Sequence, residues 1–410
     1  MSTVLSTVSL TCRRDDFPLL VNSEREAPLI YLDSGATTQK PLKVIEAINH
    51  YYRNDNANIH RAVYALGERS TAQYEAAREK IGRFLNSASS DEIIFTRGTT
   101  EAINLVASSL SAIVKSGDEI LITHLEHHAN IVPWQLLCQR VGASLKVLPI
   151  DDRGDLCVDQ LDELMTEKTK VFAFAHISNA LGTVNDVARL CQYAQSRGVL
   201  TLIDGAQAIA HTPIDVQALG CDFYVFSGHK LYGPTGIGVL YGRADLLNEL
   251  PPYQGGGDMI DEVWFEGSTY KPIPSRFEAG TPNIAGAIGL AEAVSYVSQL
   301  GLEAIRQYEN ELIDYGVVAL NEIPGLRIIG TPRTRASAIS FVIDGLHSHD
   351  VGTLLDGYQV AVRVGHHCAQ PAMRRFGVSA TTRASIGVYN QNSDFDHLVK
   401  SLHRVIKMLK

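Results

Sequence analysis

The chain reads as α/β, with a large domain built on a mainly parallel sheet and a smaller α+β domain after it. Three observations carry this. Between residues 29 and 241, short β-rich runs alternate with helical patterns, the order expected of a parallel sheet with covering helices. Several of those runs are apolar at consecutive positions, as in strands covered on both faces. A loop-rich stretch at 251–283 then ends the alternation, before a differently patterned region.

In chain order, the runs "LIYLD" (29–33), "EIIFT" (92–96), "EILIT" (119–123), "SLKVLPI" (144–150), "KVFAFAH" (170–176), "LTLID" (200–204), "FYVFS" (223–227) and "GIGVLYG" (236–242) predict strands. Helices are expected over 99–115 and 184–198. In the second, Val184, Val187, Leu190, Cys191 and Ala194 form one stripe and Gly198 stops it. After the loop come a helical pair at about 284–323 and the strand "ASAISFVID". The expected organisation is an arm at 1–28 packing with the smaller domain, a large domain at 29–283 and a small domain at 284–410.

Composition bounds the function. A chain of 410 residues suits two domains, and 45% hydrophobic with 20% charged residues is ordinary for a soluble globular protein. The net charge of -9, without a long basic run, argues against nucleic-acid binding. No stretch approaches the ~18 consecutive apolar residues of a membrane span. The six cysteines are scattered with no CxxC pair, so reduced thiols in the cytoplasm are the simplest account. The N-terminus is Ser/Thr-rich with two arginines, but it lacks the apolar core of a secretory signal and Asp15-Asp16 follow at once.

In "DFYVFSGHKLYGPTGIG" (222–238), Lys230 ends an apolar run. Burial lowers a lysine pKa and makes the amine a usable nucleophile or base. Alone, such a lysine more often snorkels out to solvent. Its company changes that reading. Asp204 ends an apolar strand, with Gln207 one turn on; it is either a backbone-held buried acid or the anion facing a pyridinium nitrogen. Gly98, Thr99 and Thr100 stand between a strand and a helix, as an N-cap or as a phosphate cradle. A cradle, an acid and a lysine at strand C-termini of one sheet fit pyridoxal phosphate, which needs fixed phosphate donors, an anion at its ring nitrogen and an amine for its aldehyde.

A second reactive residue is Cys368, in "AVRVGHHCAQPAMRRFGV" (361–378), flanked by Arg363, His366 and His367. Neighbouring cations favour the thiolate. A buried structural cysteine is one alternative. A His-His-Cys metal corner is another, disfavoured because adjacent histidines seldom bind one ion, and no metal is expected.

The motifs "NIHRAVYALGERST", "RGTTEAIN", "EHHANIVPW", "DGAQ", "SGHKLYGPTGIGVLYG", "EAGTPN", "RVGHHCAQP" and "RASIGVYN" resemble those of the cysteine desulfurases of the pyridoxal-phosphate transferase fold type I, in particular the SufS/CsdA group (class II). The likeness runs from residue 31 to 390. It implies that Lys230 carries pyridoxal phosphate, that Asp204 pairs with the ring nitrogen and Gln207 with the ring oxygen, and that His127 stacks on the ring. Thr99, Thr100, Ser227 and His229 would hold the phosphate, with Thr281 reaching the neighbouring subunit's phosphate in a homodimer. Asn179 and Arg383 match substrate-carboxylate contacts, and Arg363 and His60 match further substrate-side positions. Cys368 would take the sulfur of L-cysteine as a persulfide and pass it to an acceptor protein of the SufE or SufU type, for iron-sulfur cluster assembly. A selenocysteine lyase would use the same scaffold. An aminotransferase would need no Cys368, and a non-catalytic scaffold would not fill every cofactor position.

Overall fold

The computed structural model describes residues 10–22 and 28–410; residues 1–9 and 23–27 of the expected arm lie outside the described residues. In chain order the strands are β1 (Ile30–Tyr31), β2 (Ile93–Thr96), β3 (Glu119–Thr123), β4 (Ser144–Leu148), β5 (Thr169–Ala175), β6 (Leu200–Asp204), β7 (Phe223–Ser227), β8 (Gly238–Gly242), β9 (Ile260–Trp264), β10 (Gly267–Tyr270), β11 (Leu326–Ile329), β12 (Ala338–Ile343), β13 (Val360–Ala361), β14 (Arg363–Gly365) and β15 (Thr381–Ser385).

Strands β2-β8-β7-β6-β5-β3-β4, in that order, form the central sheet. Only β8 runs against the others. Apolar residues at consecutive positions have a direct cause here. Along β5, Val171 and Ala173 enter one core cluster while Phe172 and Phe174 enter the other. Along β7, Phe223 and Val225 face one side and Tyr224 and Phe226 the other. Each large side chain so buried stabilises the sheet by about 1.5–3 kcal/mol, and helices cover both faces.

Several expected elements are shorter or differently placed. The first helix spans Thr99–Ser109 and passes into a 3-10 turn at Leu110–Ala112. The second spans Val187–Gln195, because the Asp186 side chain accepts from the Arg189 amide and sets the start there. Val184 therefore leaves the helical stripe and bridges to Ile177 instead. The strand expected over 29–33 is reduced to β1, which pairs in parallel with β13 through Ile30↔Val360 and Tyr31↔Ala361. Ile30 and Leu32 join the C-terminal core rather than that of the central sheet. Within 251–283, β9 and β10 form a hairpin that leaves Val263, Trp264 and Phe265 exposed.

The C-terminal layer is an antiparallel sheet in the order β11-β12-β15-β14. Its core gathers Phe341, Leu355 and Ile386 with Leu398 and Leu402 of the helix Asn392–Leu409. Helix Ile284–Leu300 packs on the helices Leu42–Asn54 and Ala65–Leu85 of the large layer. Gly301, at φ 83, separates it from Leu302–Asn321, which packs on Asn392–Leu409.

The described part of the arm buries Leu10, Phe17 and Leu20 in the core. Phe17 is fully buried, with ring centroids 4.8 Å from Tyr389, 5.8 Å from Tyr232 and 5.9 Å from Tyr296. It thus packs against the large domain and the C-terminal segment together, while the Arg13 amide donates to the Val388 carbonyl. Phe17→Ala is expected to cost about 3–5 kcal/mol, read as a lower urea midpoint. An unchanged midpoint would show that Phe17 contributes nothing to stability.

Candidate active site

The sheet delivers its polar residues to the carboxyl ends of β6 and β7. After Ser227 the chain makes a 3-10 turn, Gly228–Lys230. Gly228 permits it, since a Cβ there would lie 3.0 Å from Ile237 Cγ2 and 3.2 Å from the Ile237 carbonyl. The His229 carbonyl is fixed by the Thr38 amide (3.0 Å) and by Lys40 Nζ (3.0 Å), with the Thr37 and Thr38 hydroxyls alongside. The backbone that carries Lys230 is therefore pinned from the segment after β1.

Burial lowers the Lys230 amine to a pKa of about 8; Asp204 opposes that shift, and Arg383 and Arg363 add to it. Asp204, buried at the end of β6, accepts from the Ala206 amide at 2.9 Å. Burial raises its carboxyl, and that amide and Lys230 offset part of the rise. The acid and the amine of this cleft thus support each other's charged forms. The neutral amine accumulates as pH rises through about 8. Uptake of pyridoxal phosphate by the cofactor-free protein is accordingly expected to accelerate up to about pH 8 and to level off above it, followed by absorbance. A rate still climbing steeply to pH 10 would show an unperturbed amine.

At the cradle, Gly98 sits at φ 155 before helix Thr99–Ser109. A Cβ on Gly238 would come within 2.4 Å of Gly98 Cα, so two glycines let the loop lie against β8. Ser227 Oγ accepts from the Thr99 amide at 2.8 Å and lies 2.8 Å from Thr99 Oγ1. Thr100 and His229 line the same opening. Burial lowers His229 to about 4, so its ring is neutral.

His127 follows β3. Its Nδ1 accepts from the Ala129 amide at 3.0 Å, which puts the proton of the neutral ring on Nε2. Burial, with Lys230 nearby, lowers it to about 3. Gln207 Nε2 donates to the Gly35 carbonyl at 2.8 Å.

The opposite wall comes from the C-terminal sheet. Arg363 of β14 and Arg383 of β15 are direct cross-strand partners, so both side chains leave the same face. Arg383 is buried, donating to the Asn179 carbonyl at 2.7 Å and to Asp33 Oδ1 at 3.3 Å, while its Nε has no protein partner. A guanidinium held in this way at the cleft wall can pair with an anion there. Cys368 lies on the loop between β14 and the short helix Gln370–Arg375, at φ 55 beside His367 at φ 50. Its amide donates to His366 Nδ1 at 3.1 Å and its carbonyl accepts from the His128 amide at 2.7 Å. Asn179 donates to the His367 carbonyl.

One cleft collects the sequence-predicted residues Lys230, Asp204, Gln207, His127, Thr99, Thr100, Ser227, His229, Asn179, Arg363, Arg383 and Cys368. Two are elsewhere. His60 Nε2 pairs with Glu75 Oε1 at 2.9 Å, and Thr281 lines a separate opening with Arg97 and Glu278. The sequence reading did not single out Asp33 or Glu126. Glu126 is fully buried between Thr123, Asn130 and the Ala175 amide, and burial lifts its carboxyl to about 8. A charge in "HLEHHAN" between an apolar strand and a helix was the available signal.

The aminotransferase class-V family model matches residues 30–398. The chain is 51% identical to the cysteine desulfurase of Klebsiella pneumoniae, over 98% of its own length and 100% of that protein's. It is also 51% identical to the cysteine desulfurase of Synechococcus elongatus, over 96% of its own length, but it spans only 63% of that longer relative. The crystal structure of the cysteine desulfurase CsdA from Escherichia coli superposes with a TM-score of 0.90 at 42% identity, covering 97% of this chain and 98% of the other. The cysteine desulfurase of Thermococcus onnurineus superposes at 0.91 with 39% identity, covering 97% and 98%.

Proposed function

The chain belongs to the aminotransferase class-V family, and from that premise we propose a pyridoxal-phosphate-dependent cysteine desulfurase of the SufS/CsdA type, converting L-cysteine to L-alanine. The observation that carries the reading is the meeting of Lys230, from the central sheet, and Cys368, from the C-terminal sheet, in one cleft.

The residues present fit the cofactor. Lys230 would bond its aldehyde, Asp204 its ring nitrogen and Gln207 its ring oxygen, with His127 on the ring face and Thr99, Thr100, Ser227 and His229 at the phosphate. When bound, pyridoxal phosphate supplies an electron sink beside the substrate's α-carbon. The chain's own groups do the rest. Arg383, with Asn179 alongside, binds the substrate carboxylate and fixes the reacting bonds. Lys230, with a pKa of about 8, gives and takes protons near neutrality. Cys368 Sγ forms a bond to the substrate sulfur as that sulfur's bond to carbon breaks. The electron pair of the broken bond stays with the carbon, which takes up a proton and becomes the methyl group of alanine. The enzyme thiol is left as a persulfide.

The finer reading follows from the same site. A persulfide on a short loop suits handover to a dedicated acceptor of the SufE or SufU type, feeding iron-sulfur cluster assembly. L-Selenocysteine fits the same contacts, with selenium the easier atom to expel. Thr281 and His60, outside the cleft of a single chain, would complete a homodimer's site from the second copy. All six cysteines are free, in keeping with a reducing cytoplasm, and no helix among the described residues is long and apolar enough to cross a membrane. The test is incubation with L-cysteine or L-selenocysteine, following alanine and sulfide or selenide with and without an acceptor protein. Equimolar alanine and sulfide support the reading. Transfer of the amino group to a keto acid, surviving in Cys368→Ala, would make it an aminotransferase.

A further inference from the structure

Adjacent histidines cannot readily share one ion, and the structure removes His367 from consideration: its Nε2 lies 2.7 Å from Thr381 Oγ1, on the buried side of the loop. His128 takes its place. It comes from the turn after β3, and the donor atoms of His128, His366 and Cys368 all lie within 4.8 Å of one another. The two rings stand 5.5 Å apart between centroids, tilted by 36°.

We propose that His128, His366 and Cys368 form a binding site for a thiophilic divalent cation, of which Zn²⁺ is the type. Two imidazoles and a thiolate are a donor set that Zn²⁺ and its analogues favour, with a fourth position left for water or an exogenous thiol. In a tetrahedral site with bonds of about 2.0–2.3 Å, the donors stand roughly 3.5 Å apart. The observed spread therefore needs a contraction of about 1 Å, within reach of side-chain rotation. Two hydrogen bonds already draw the loops together: the His128 amide donates to the Cys368 carbonyl at 2.7 Å, and the Gln370 amide donates to His128 Nε2 at 3.2 Å. The second must yield if His128 binds through Nε2, whereas its Nδ1 can bind without that loss. No other group of three such residues with metal-ligand spacing occurs among the described residues.

Binding replaces the Cys368 thiol proton by the metal and releases that proton to solvent. The metal thus competes with substrate sulfur for the same Sγ, and the site acts as a reversible block on the reactive cysteine. The metal chemistry stands whether or not the chain is a desulfurase, because it is read without turnover.

The experiment titrates Co²⁺ into the cofactor-loaded protein and follows the visible d–d bands of tetrahedral cobalt, to the red of the cofactor's own absorption. One Co²⁺ per chain is expected, displaced by Zn²⁺. Cys368→Ser should abolish the bands, and His128→Ala and His366→Ala should each weaken binding by about tenfold or more. Equal affinity in all three variants would mean an adventitious ion only and would overturn the proposal. Should a variant fail to fold, the parent protein suffices: saturating Zn²⁺ is expected to slow iodoacetamide alkylation of Cys368, mapped by peptide mass. Alkylation at an unchanged rate would equally overturn the site.

Discussion

Cys368→Ser is expected to lower sulfide release from L-cysteine by roughly three orders of magnitude or more, the scale seen when a nucleophile is deleted. The yellow colour of the bound cofactor should persist, because Lys230, Asp204 and the Thr99–Ser227 cradle are untouched. Binding of L-cysteine should persist as well, since Arg383 is fixed by the Asn179 carbonyl and Asp33 rather than by the thiol. Turnover of L-selenocysteine should suffer less, as selenium can leave without thiolate attack. A spectrum and an alanine assay on one sample separate the cases. Parent-like desulfuration would reduce Cys368 to a loop residue, and loss of the cofactor would make it structural. In the parent protein, mass spectrometry of the peptide holding Cys368 should show an adduct of about 32 Da, one added sulfur.

Lys230→Ala is expected to stop alanine formation entirely within assay limits, since the cofactor-bonding amine and the proton carrier are lost together. The fold should survive. The substitution removes a buried cation that crowds Arg383 and Arg363, and it deprives Asp204 of the charge that offsets its burial. The Asp204 carboxyl should therefore titrate higher still, and cofactor should become removable by dialysis. Turnover within tenfold of the parent would end the assignment of Lys230.

What the sequence showed and what it hid divide along physical lines. The strands of the central sheet were legible because all but the edge strand β4 are buried on both faces, so their own composition declares them. The strand at 29–33 was legible, but its reduction to two residues and its pairing with β13, far along the chain, were not. The β9–β10 hairpin went unread because it is exposed, and charged residues interrupt "IDEVWFEGSTY". Lys230, Asp204 and Cys368 stood out as polar residues against apolar runs or in a Gly/His-rich loop. Asp33 did not, because its meaning lies in Arg383, a partner brought by the fold, and Glu126 did not, because a charge between a strand and a helix shows neither its full burial nor the distant Ala175 amide that it accepts from. The close approach of His128 to His366 and Cys368 joins two loops that only tertiary structure brings together.

The pairing of β1 with β13 also sets an order of events during synthesis. Ile30 leaves the ribosome 330 residues ahead of Val360, and Asp33 leaves it 350 residues ahead of the arginine it holds. At about 5–20 residues per second, that is a wait of roughly 15–70 s. Throughout it Ile30 and Leu32, buried in the finished protein, have no native core to enter. The central sheet, complete by Gly242, can form on the nascent chain with its lysine in place. The anion clamp on Arg383 closes only after β15 has emerged, so cofactor capture is expected to become possible on the ribosome well before substrate capture.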